Sequence, residues 1–358
     1  MSKKILNIAI VGCGRISRNH INAIISQKNR CQLVAICDSS NENLDLTTTY
    51  LMEVFKNNNI NYFPSKFLEY KNLLLAHQDK KIIIDLLIIA TPSGMHPSQT
   101  ILAAKNGINV CTEKPMALNV EDAEKMIKAC KENKVKLFVV MQIRLNNTVR
   151  DLRKKIKEGR FGKIAVISLN LFWQRPQSYY DAASWRGTLE LDGGVLLNQA
   201  SHYIDLLEWI NGPLESISAS IATIARNIES EDTAILNLKW LKGTLGSMAI
   251  TMISFPKNIE GSITVIGDKG SAKIGGEALN KYEFSYFQEG IESLDNNQSE
   301  NQIKNLYGSG HIEYYKNMIK VLTDGGKAIC NGESGLSSIR IIKAAYLSSE
   351  IGKTIKLK

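Results

Sequence analysis

A short apolar run, Asn7-Ile-Ala-Ile-Val11, breaks into Gly12-Cys13-Gly14 and continues through Arg15, Ile16 and Ser17 into a helix-compatible segment, Arg18 to Gln27. Ile8, Ile10 and Val11 have the character of a strand buried in a parallel sheet. Gly12 permits a tight turn after that strand, and Gly14 lets backbone approach a pyrophosphate at the N-terminus of the following helix. Strand, glycine turn and helix in this order make a dinucleotide-binding turn. The third position of such a turn is commonly Gly or Ala; Ser17 stands there and is still small enough for close packing of helix on strand.

A glycine pattern alone is a weak signal, so the next segment decides. Gln32-Leu-Val-Ala-Ile-Cys-Asp38 is a second apolar run ending in an acid, at roughly the 20-residue spacing where a carboxylate holds both ribose hydroxyls. Ser39 and Ser40 follow, with no arginine nearby to pair with a 2'-phosphate, which favours NAD over NADP. The alternative for Asp38 is an ordinary solvated acid at a strand end.

Further along, Ile82-Ile-Ile-Asp-Leu-Leu-Ile-Ile-Ala90 is a near-continuous apolar run of the kind buried on both faces of a parallel sheet. The pattern predicts helices over 41–55, 66–76, 95–106 and 119–133, with strands over 108–111 and 137–140. This alternation predicts a doubly wound parallel α/β sheet over residues 1–140. Ligands of such sheets bind beyond the carboxyl ends of the strands. The residues there are Thr91-Pro92-Ser93, then His96, and Glu113-Lys114-Pro115. Thr91 to Ser93 read either as a wall against the nicotinamide ribose or as a plain turn; His96 reads as a ligand contact or as a capping and packing residue. Lys114, pinned between an apolar strand and a proline, reads either as a candidate general base or as a surface lysine at a strand end. An amine serves as a base only when neutral: burial and a nearby nicotinamide cation lower its pKa, whereas Glu113 pointing the same way raises it.

Beyond residue 140 the texture changes. Strand-like runs at 164–172, 217–224, 233–240, 244–253, 263–266 and 271–274, the later ones without intervening helices, predict an α+β domain over 141–358 with a mostly antiparallel open sheet. The polar stretch 288–305 reads as a long loop, and helices are expected over 311–322 and 335–351. The tail Thr354-Ile355-Lys356 reads as an edge strand. Between the first of these strands and the rest, Gly193-Gly194 precedes a predicted helix over 195–210, stopped by Asn211-Gly212-Pro213. On that helix Asn198, His202 and Asp205 would share one face, and Leu196, Tyr203, Leu207 and Ile210 an apolar one. A polar row centred on a histidine is costly to bury without a task; the alternative is a histidine satisfied within a domain interface.

Composition narrows the function classes. A chain of 358 residues with 44% hydrophobic and 22% charged content accommodates two ordinary domains. The net charge of +9 raises nucleic acid as a partner, but Lys and Arg are spread along the chain. The densest group, Arg150, Arg153, Lys154, Lys155 and Lys157, distributes by helical spacing around a solvated face, so no nucleic-acid partner is expected. Six cysteines at 13, 31, 37, 111, 130 and 330 lack paired spacing, so neither disulfides nor a metal site is expected. No run approaches a bilayer's thickness, and Met1-Ser-Lys-Lys leads straight into a strand without a signal core. A cytoplasmic location with no membrane partner is expected.

With these residues in view, the chain resembles the Gfo/Idh/MocA oxidoreductase family over nearly its whole length. The marks are Gly12-Cys-Gly14, Asp38, Ala90-Thr-Pro92, Glu113-Lys-Pro115 and the Gly193-Gly194 segment with His202 and Asp205. The resemblance implies an N-terminal Rossmann domain, a C-terminal open sheet that forms most oligomer contacts (a tetramer), and hydride transfer at a sugar or cyclitol carbon. It implies NAD contacts from Gly12, Gly14, Arg15, Ile16, Asp38, Thr91, Pro92, Ser93, His96, Glu113, Lys114 and Gln142, and catalysis by Lys114 and His202. Many members carry an Asp four residues before the histidine; Asn198 stands there, removing an anion that would stabilise a charged His202 and leaving proton removal more to Lys114. Asn198-Gln199, Trp185-Arg-Gly-Thr188, Phe172-Trp-Gln-Arg-Pro-Gln-Ser-Tyr-Tyr180 and Gln142-Ile-Arg144 resemble a narrower branch that oxidises the 3-hydroxyl of UDP-N-acetyl-2-amino-2-deoxyglucuronate for bacterial surface polysaccharide (O-antigen), although Leu145 replaces an expected tyrosine. That implies a UDP-sugar met by Lys114, Arg144, Arg175, Tyr179, Tyr180, Arg186, Asn198, Gln199 and His202, with arginines as bidentate partners of its anions. Other readings are a dehydrogenase of another sugar or inositol, or an NAD-binding regulator on the same scaffold.

Overall fold

The computed structural model of the chain describes residues 5–276, 278–291 and 310–357. They form two compact units, one of residues 1–140 with 311–336 and one of 141–310 with 337–358.

In the first unit, β1 (Leu6–Val11), α1 (Ser17–Ile25), β2 (Cys31–Cys37), α2 (Asn41–Asn57), β3 (Ser65–Phe67), α3 (Tyr70–Gln78), β4 (Leu86–Ile89), α4 (His96–Lys105), β5 (Asn109–Thr112), α5 (Val120–Glu132) and β6 (Leu137–Val139) alternate. The six strands form one parallel sheet in the order β3-β2-β1-β4-β5-β6. β1 is buried but for Asn7, and β4 is buried throughout, as expected of strands covered on both faces. The chain leaves β1 toward β2 on one side and returns to β4 on the other. The crevice at that reversal, where such sheets bind ligands, receives the turns after β1 and β4. Ser40 caps α2 by accepting from the Asn43 amide, and Asn119 caps α5 by accepting from the Asp122 amide at 2.8 Å.

Two expectations are corrected here. Of the run Ile82–Ala90, only Leu86–Ile89 lies in the sheet, because pairing with Ile8–Val11 and Asn109–Thr112 sets the strand's length. Asp85 instead takes the Asn7 amide on its carboxylate at 2.9 Å. The helix expected from residue 66 begins at Tyr70, since Ser65–Phe67 pairs with Ala35–Cys37.

The second unit is built on α6 (Asn147–Lys157), β7 (Ile164–Phe172), α7 (Gln177–Asp181), α8 (Ser201–Asn211), β8 (Leu214–Ala222), β9 (Thr233–Trp240), β10 (Leu245–Thr251), β11 (Glu260–Gly267), β12 (Gly270–Gly275), β13 (Lys281–Phe287) and β14 (Gly290–Ile291). Later in the chain, α9 (Gly310–Thr323) from His311 on and α10 (Gly332–Ile351) up to Leu336 belong to the first unit, and the rest of α10 with β15 (Ile355–Lys356) belongs to the second. The sheet order is β14-β13-β12-β11-β7-β10-β9-β8-β15. All its pairs are antiparallel except β7 with β10. The tail strand does pair with the sheet edge, Ile355 opposite Ile217. On β9, Ala234, Leu236, Leu238 and Trp240 are buried while Ile235, Asn237 and Lys239 are exposed, so one face carries the core. On the other face Val166, Leu245 and Ile266, neighbours across β10, β7 and β11, are exposed. Part of the loop expected over 288–305 is the short strand β14; residues 292–309 lie outside the described residues.

The helix expected over 195–210 is a third correction: α8 begins at Ser201 and residues before it form turns. Gly193 and Gly194 take φ of +83° and +90°, and the Ala200 amide donates to the Val195 carbonyl five residues back at 2.8 Å, out of the i to i−4 register of an α-helix. Asn198 therefore precedes the helix that carries His202 and Asp205. At the other end Gly212, with φ +88°, donates its amide to the Glu208 carbonyl and stops α8.

Candidate active site

In the first unit, Gly12 has φ +94° and any Cβ there would collide with the Ala90 carbonyl, so both conformation and the approach of β4 demand glycine. At Gly14, by contrast, a Cβ would meet nothing within 4 Å. Ser17 closes the turn by donating to the Gly14 carbonyl at 2.6 Å. No side chain caps α1; the Ser17 amide donates to the Gly14 carbonyl at 3.1 Å and the Asn19 amide to the Ile16 carbonyl at 3.0 Å, and a helix start without a side-chain cap is the kind of end that receives an anion. Asp38 follows β2 and is tied to the same turn: Oδ2 accepts from the Cys13 amide at 2.7 Å, and Oδ1 from the Ser40 amide at 2.8 Å and Asn43 Nδ2 at 3.3 Å. Arg15 is exposed beside the glycines and Ile16 is half-buried. An open glycine face, an uncapped helix start and an acid after β2 fit a dinucleotide.

At the end of β4, Thr91 Oγ1 donates to Gln99 Oε1 at 2.7 Å, and Ser93 is buried behind Pro92. His96 is buried, with Nε2 facing the Thr91 carbonyl at 2.9 Å and Nδ1 the Pro115 carbonyl at 2.8 Å. A neutral ring donates to one of these and an imidazolium to both. Burial lowers its pKa, against the pull of the two carbonyls. Its ring thus joins the turn after β4 to the turn after β5.

Glu113 follows β5 and is buried. Oε1 accepts from His20 Nε2 at 3.0 Å, and Oε2 accepts from the Lys114 amide at 3.2 Å. His311 Nε2 stands 3.9 Å from Oε1, beyond hydrogen-bond reach. His20 Nδ1 lies 2.9 Å from the Tyr315 hydroxyl. Burial pushes the Glu113 carboxyl up, but the His20 hydrogen bond and the two imidazoles outweigh it and hold it well below the carboxylate range. Burial lowers His20, with Glu113 acting in the opposite direction. The network is satisfied with Glu113 ionised, His20 neutral and donating from Nε2, and Tyr315 donating to Nδ1. The sequence reading found Glu113 but missed His20, His311 and Tyr315. No local pattern in the sequence links them; in the structure four of the five histidines, His20, His96, His202 and His311, are buried. Lys114 is half-buried.

In the second unit, His202 is buried on the first turn of α8. One turn further on, Asp205 accepts from Arg144 Nε at 2.6 Å and Nη2 at 2.5 Å, and from the Ser338 hydroxyl at 3.2 Å. Arg144 thus directs two of its donors at a carboxylate of its own chain. Gln142 is buried with its Oε1 lacking a hydrogen-bond partner. Asn198 donates to Asp192 Oδ1 at 2.5 Å, Asp192 Oδ2 accepts from the Gly187 amide at 2.8 Å, and Gln199 is buried. Asp192, Glu231 and Tyr346 went unnoticed in the sequence. Tyr346 donates within reach of both Glu231 Oε1 at 2.8 Å and the Gly193 carbonyl at 2.9 Å, and burial raises the Glu231 carboxyl above its usual value.

A cavity of about 260 Å³ opens beside this turn, lined by residues that include Gln177, Tyr180, Arg186, Thr188 and Asn227. His202 is not among its lining residues. Two donors of residues that line it, the Tyr180 hydroxyl and Arg186 Nε, are buried without a hydrogen-bond partner. Arg186 is otherwise held by the Tyr179 carbonyl at 2.6 Å and by the Tyr179 ring, 4.4 Å from its guanidinium carbon. Arg175 Nη1 donates to the Gln174 carbonyl at 2.6 Å, and its guanidinium lies over Trp173 and Tyr179. Orphaned buried donors cost about 1–3 kcal/mol each, and an anionic or carbonyl-bearing ligand would satisfy them.

Residues 6–141 match the oxidoreductase family, NAD-binding Rossmann fold, and residues 153–357 match the oxidoreductase family, C-terminal alpha/beta domain. The WlbA dehydrogenase from Bordetella pertussis, solved in complex with NADH and UDP-GlcNAcA, is 41% identical, with a TM-score of 0.88 over 100% of this chain and 99% of that one. The WlbA dehydrogenase from Chromobacterium violaceum, solved with the same two ligands, is 40% identical, with a TM-score of 0.87 over 100% and 97%. D-apiose dehydrogenase from Paraburkholderia graminis is 22% identical over 98% of this chain and 89% of its own length.

Proposed function

For a chain that belongs to the Gfo/Idh/MocA oxidoreductase family and is an NAD-dependent sugar dehydrogenase, we propose oxidation of the 3-hydroxyl of UDP-N-acetyl-2-amino-2-deoxyglucuronate to the 3-keto sugar. The observation that carries this reading is the match, along the entire chain, to two dehydrogenases solved with UDP-GlcNAcA and NADH. NAD, when bound, accepts the hydride from the sugar carbon. Gly14, the uncapped start of α1 and Asp38 receive its pyrophosphate and ribose; Gly12, Arg15, Ile16, Thr91, Pro92, Ser93, His96 and Glu113 shape the surrounding turns. Gln142 Oε1, a buried acceptor without a partner, receives a donor from the cofactor.

Lys114, as the neutral amine, takes the hydroxyl proton directly or through His202, so the alcohol loses hydride and proton together and becomes the ketone. Tyr180 and Arg186 present their unpaired donors to an anionic or carbonyl group of the UDP-sugar, with Tyr179 and Arg175 packed behind them, and Asn198 and Gln199 line the approach to His202. Arg144 serves this site through Asp205, holding α8. The exposed row Val166, Leu245 and Ile266 is the face on which copies pack into a tetramer. In the cell the 3-keto product would pass to an aminotransferase in surface polysaccharide (O-antigen) synthesis, in the cytoplasm. Among the described residues no helix is long and apolar enough to cross a membrane.

The test is nicotinamide absorbance after adding UDP-GlcNAcA, beside a panel of free sugars and inositol. Formation of NADH with the UDP-sugar, abolished in Lys114→Ala with NADH binding kept, supports the assignment. Turnover of free sugars alone would refute the substrate, and full activity in Lys114→Ala would refute the base.

A further inference from the structure

The backbone around Lys114 is held at three points, all within the first unit. The Glu113 amide donates to the Ile89 carbonyl at 2.8 Å, the Lys114 amide donates to Glu113 Oε2 at 3.2 Å, and the Pro115 carbonyl faces His96 Nδ1 at 2.8 Å. The middle point is the unusual one, because it depends on a buried carboxylate that could rotate away. What stops it is His20, fully buried on α1, whose Nε2 reaches Glu113 Oε1 at 3.0 Å while its Nδ1 is fixed by Tyr315 on α9 at 2.9 Å. His311, also on α9, stands edge-on to the His20 ring at 5.5 Å between centroids.

We propose that His20 is a positioning residue for Lys114: through Glu113 it orients the amine and tunes its basicity. This rests on the assignment of Lys114 as the base. The physical argument has two parts. Geometrically, one carboxylate bridges the imidazole and the Lys114 amide, so losing the imidazole frees the carboxylate and the turn it braces. Electrostatically, Glu113 is an anion next to an amine that must be neutral to act. Among the described residues, the titratable groups around that carboxylate are His20 on α1, His96 on α4, Cys111 on β5, His311 and Tyr315 on α9, and Lys114 itself. His20 donates the shortest of these contacts. Without it the carboxylate is less compensated, and the unmet anion favours the ammonium form of Lys114.

The same three side chains, His20, Glu113 and His311, bring ligand atoms within 4.8 Å of one another. In this arrangement, however, His20 Nε2 and Glu113 Oε1 already satisfy each other by a hydrogen bond, and His20 Nδ1 is occupied by Tyr315. Hydrogen bonding therefore accounts for the cluster without an ion.

The experiment compares wild type, His20→Leu, His20→Gln and Tyr315→Phe for NADH affinity, melting temperature and the pH dependence of kcat, with Lys114→Met in parallel. Expected for His20→Leu are a kcat lower by about tenfold or more, an acidic limb moved to higher pH and an NADH Kd within about twofold of wild type. His20→Gln, which keeps an N–H donor, restores the limb; Tyr315→Phe moves it the same way by less. Wild-type kcat and pH profile in His20→Leu, or a loss of activity tracking only the folded fraction, overturns the inference. If His20→Leu does not fold, an unmoved limb in Tyr315→Phe overturns it instead. Bound metal at one equivalent in the wild-type protein also overturns it. Turnover in Lys114→Met defeats the base assignment itself, whereas a dead Lys114→Met beside an unaffected His20→Leu defeats only the positioning role.

Discussion

Replacing Arg144 by Met tests whether this arginine grips substrate or braces α8. Its side chain and that of Asp205 are 9% and 2% exposed, and two charge-assisted hydrogen bonds of 2.6 and 2.5 Å join them. Removing the guanidinium leaves Asp205 buried with the Ser338 hydroxyl, a much weaker match for a carboxylate. Breaking such a pair costs about 3–5 kcal/mol, and for a unit of this size that lowers Tm by roughly 6–20 °C. Replacing both partners, Arg144→Met with Asp205→Leu, removes the buried charge altogether and recovers most of the loss. Thermal unfolding of the two single variants and the double variant reads the cycle, and steady-state kinetics of the folded fraction read KM. A Tm for Arg144→Met within about 2 °C of wild type, together with a raised KM for the UDP-sugar, would refute the bracing argument. So would a double variant no more stable than the single one.

Gly14→Ala places its Cβ where the chain itself has nothing within 4 Å, so Tm stays within about 2 °C while NADH affinity falls, as fluorescence titration will show; unchanged affinity would remove Gly14 from the cofactor site. Arg186→Met and Tyr180→Phe each take away an unpaired buried donor, and each should raise KM for the UDP-sugar by about tenfold with NADH Kd unchanged in the same titration. Acidification should destabilise the protein in two stages. His20 and His96 are held below the ordinary imidazole value by burial, so the unfolded chain binds the extra protons and stability declines as pH drops from about 6.5. Glu113, held low, contributes stability that is complete above about 4.3 and is lost as pH falls further, through its folded value. A Tm higher at pH 5.5 than at 7.5 would contradict this, and His20→Gln should flatten the first stage.

Much of the first unit was legible because its signals are local. Apolar runs at Ile8–Val11 and Leu33–Cys37, the glycines at 12 and 14 and the acid at 38 lie within one strand-turn-helix-strand span, and periodicity with turn chemistry reads them directly. Alternation also marked β9 to its ends, since one covered face repeats every second residue along the strand itself. The start of α8 was not legible: the Ala200 amide bonds to the Val195 carbonyl, one residue out of α-helical register, and apolar periodicity carries no mark of that break. The length of β4 is likewise set by its neighbours' register, and the parallel pairing of β7 with β10 by the path of the chain between them.

What the sequence by itself determined is the order of the elements and the chemical types at the strand ends: glycines, an acid, a lysine beside a proline, a histidine after paired glycines. What only the tertiary structure decided is which of those groups are already engaged. His20, Glu113 and His311 are far apart along the chain, as are Arg144 and Asp205, and no periodicity connects them. Such contacts depend on which helix packs over which strand end, and burial then sets their protonation and hydrogen-bond partners. That is why the hydrogen bonds from Arg144 to Asp205 could not be read from the sequence.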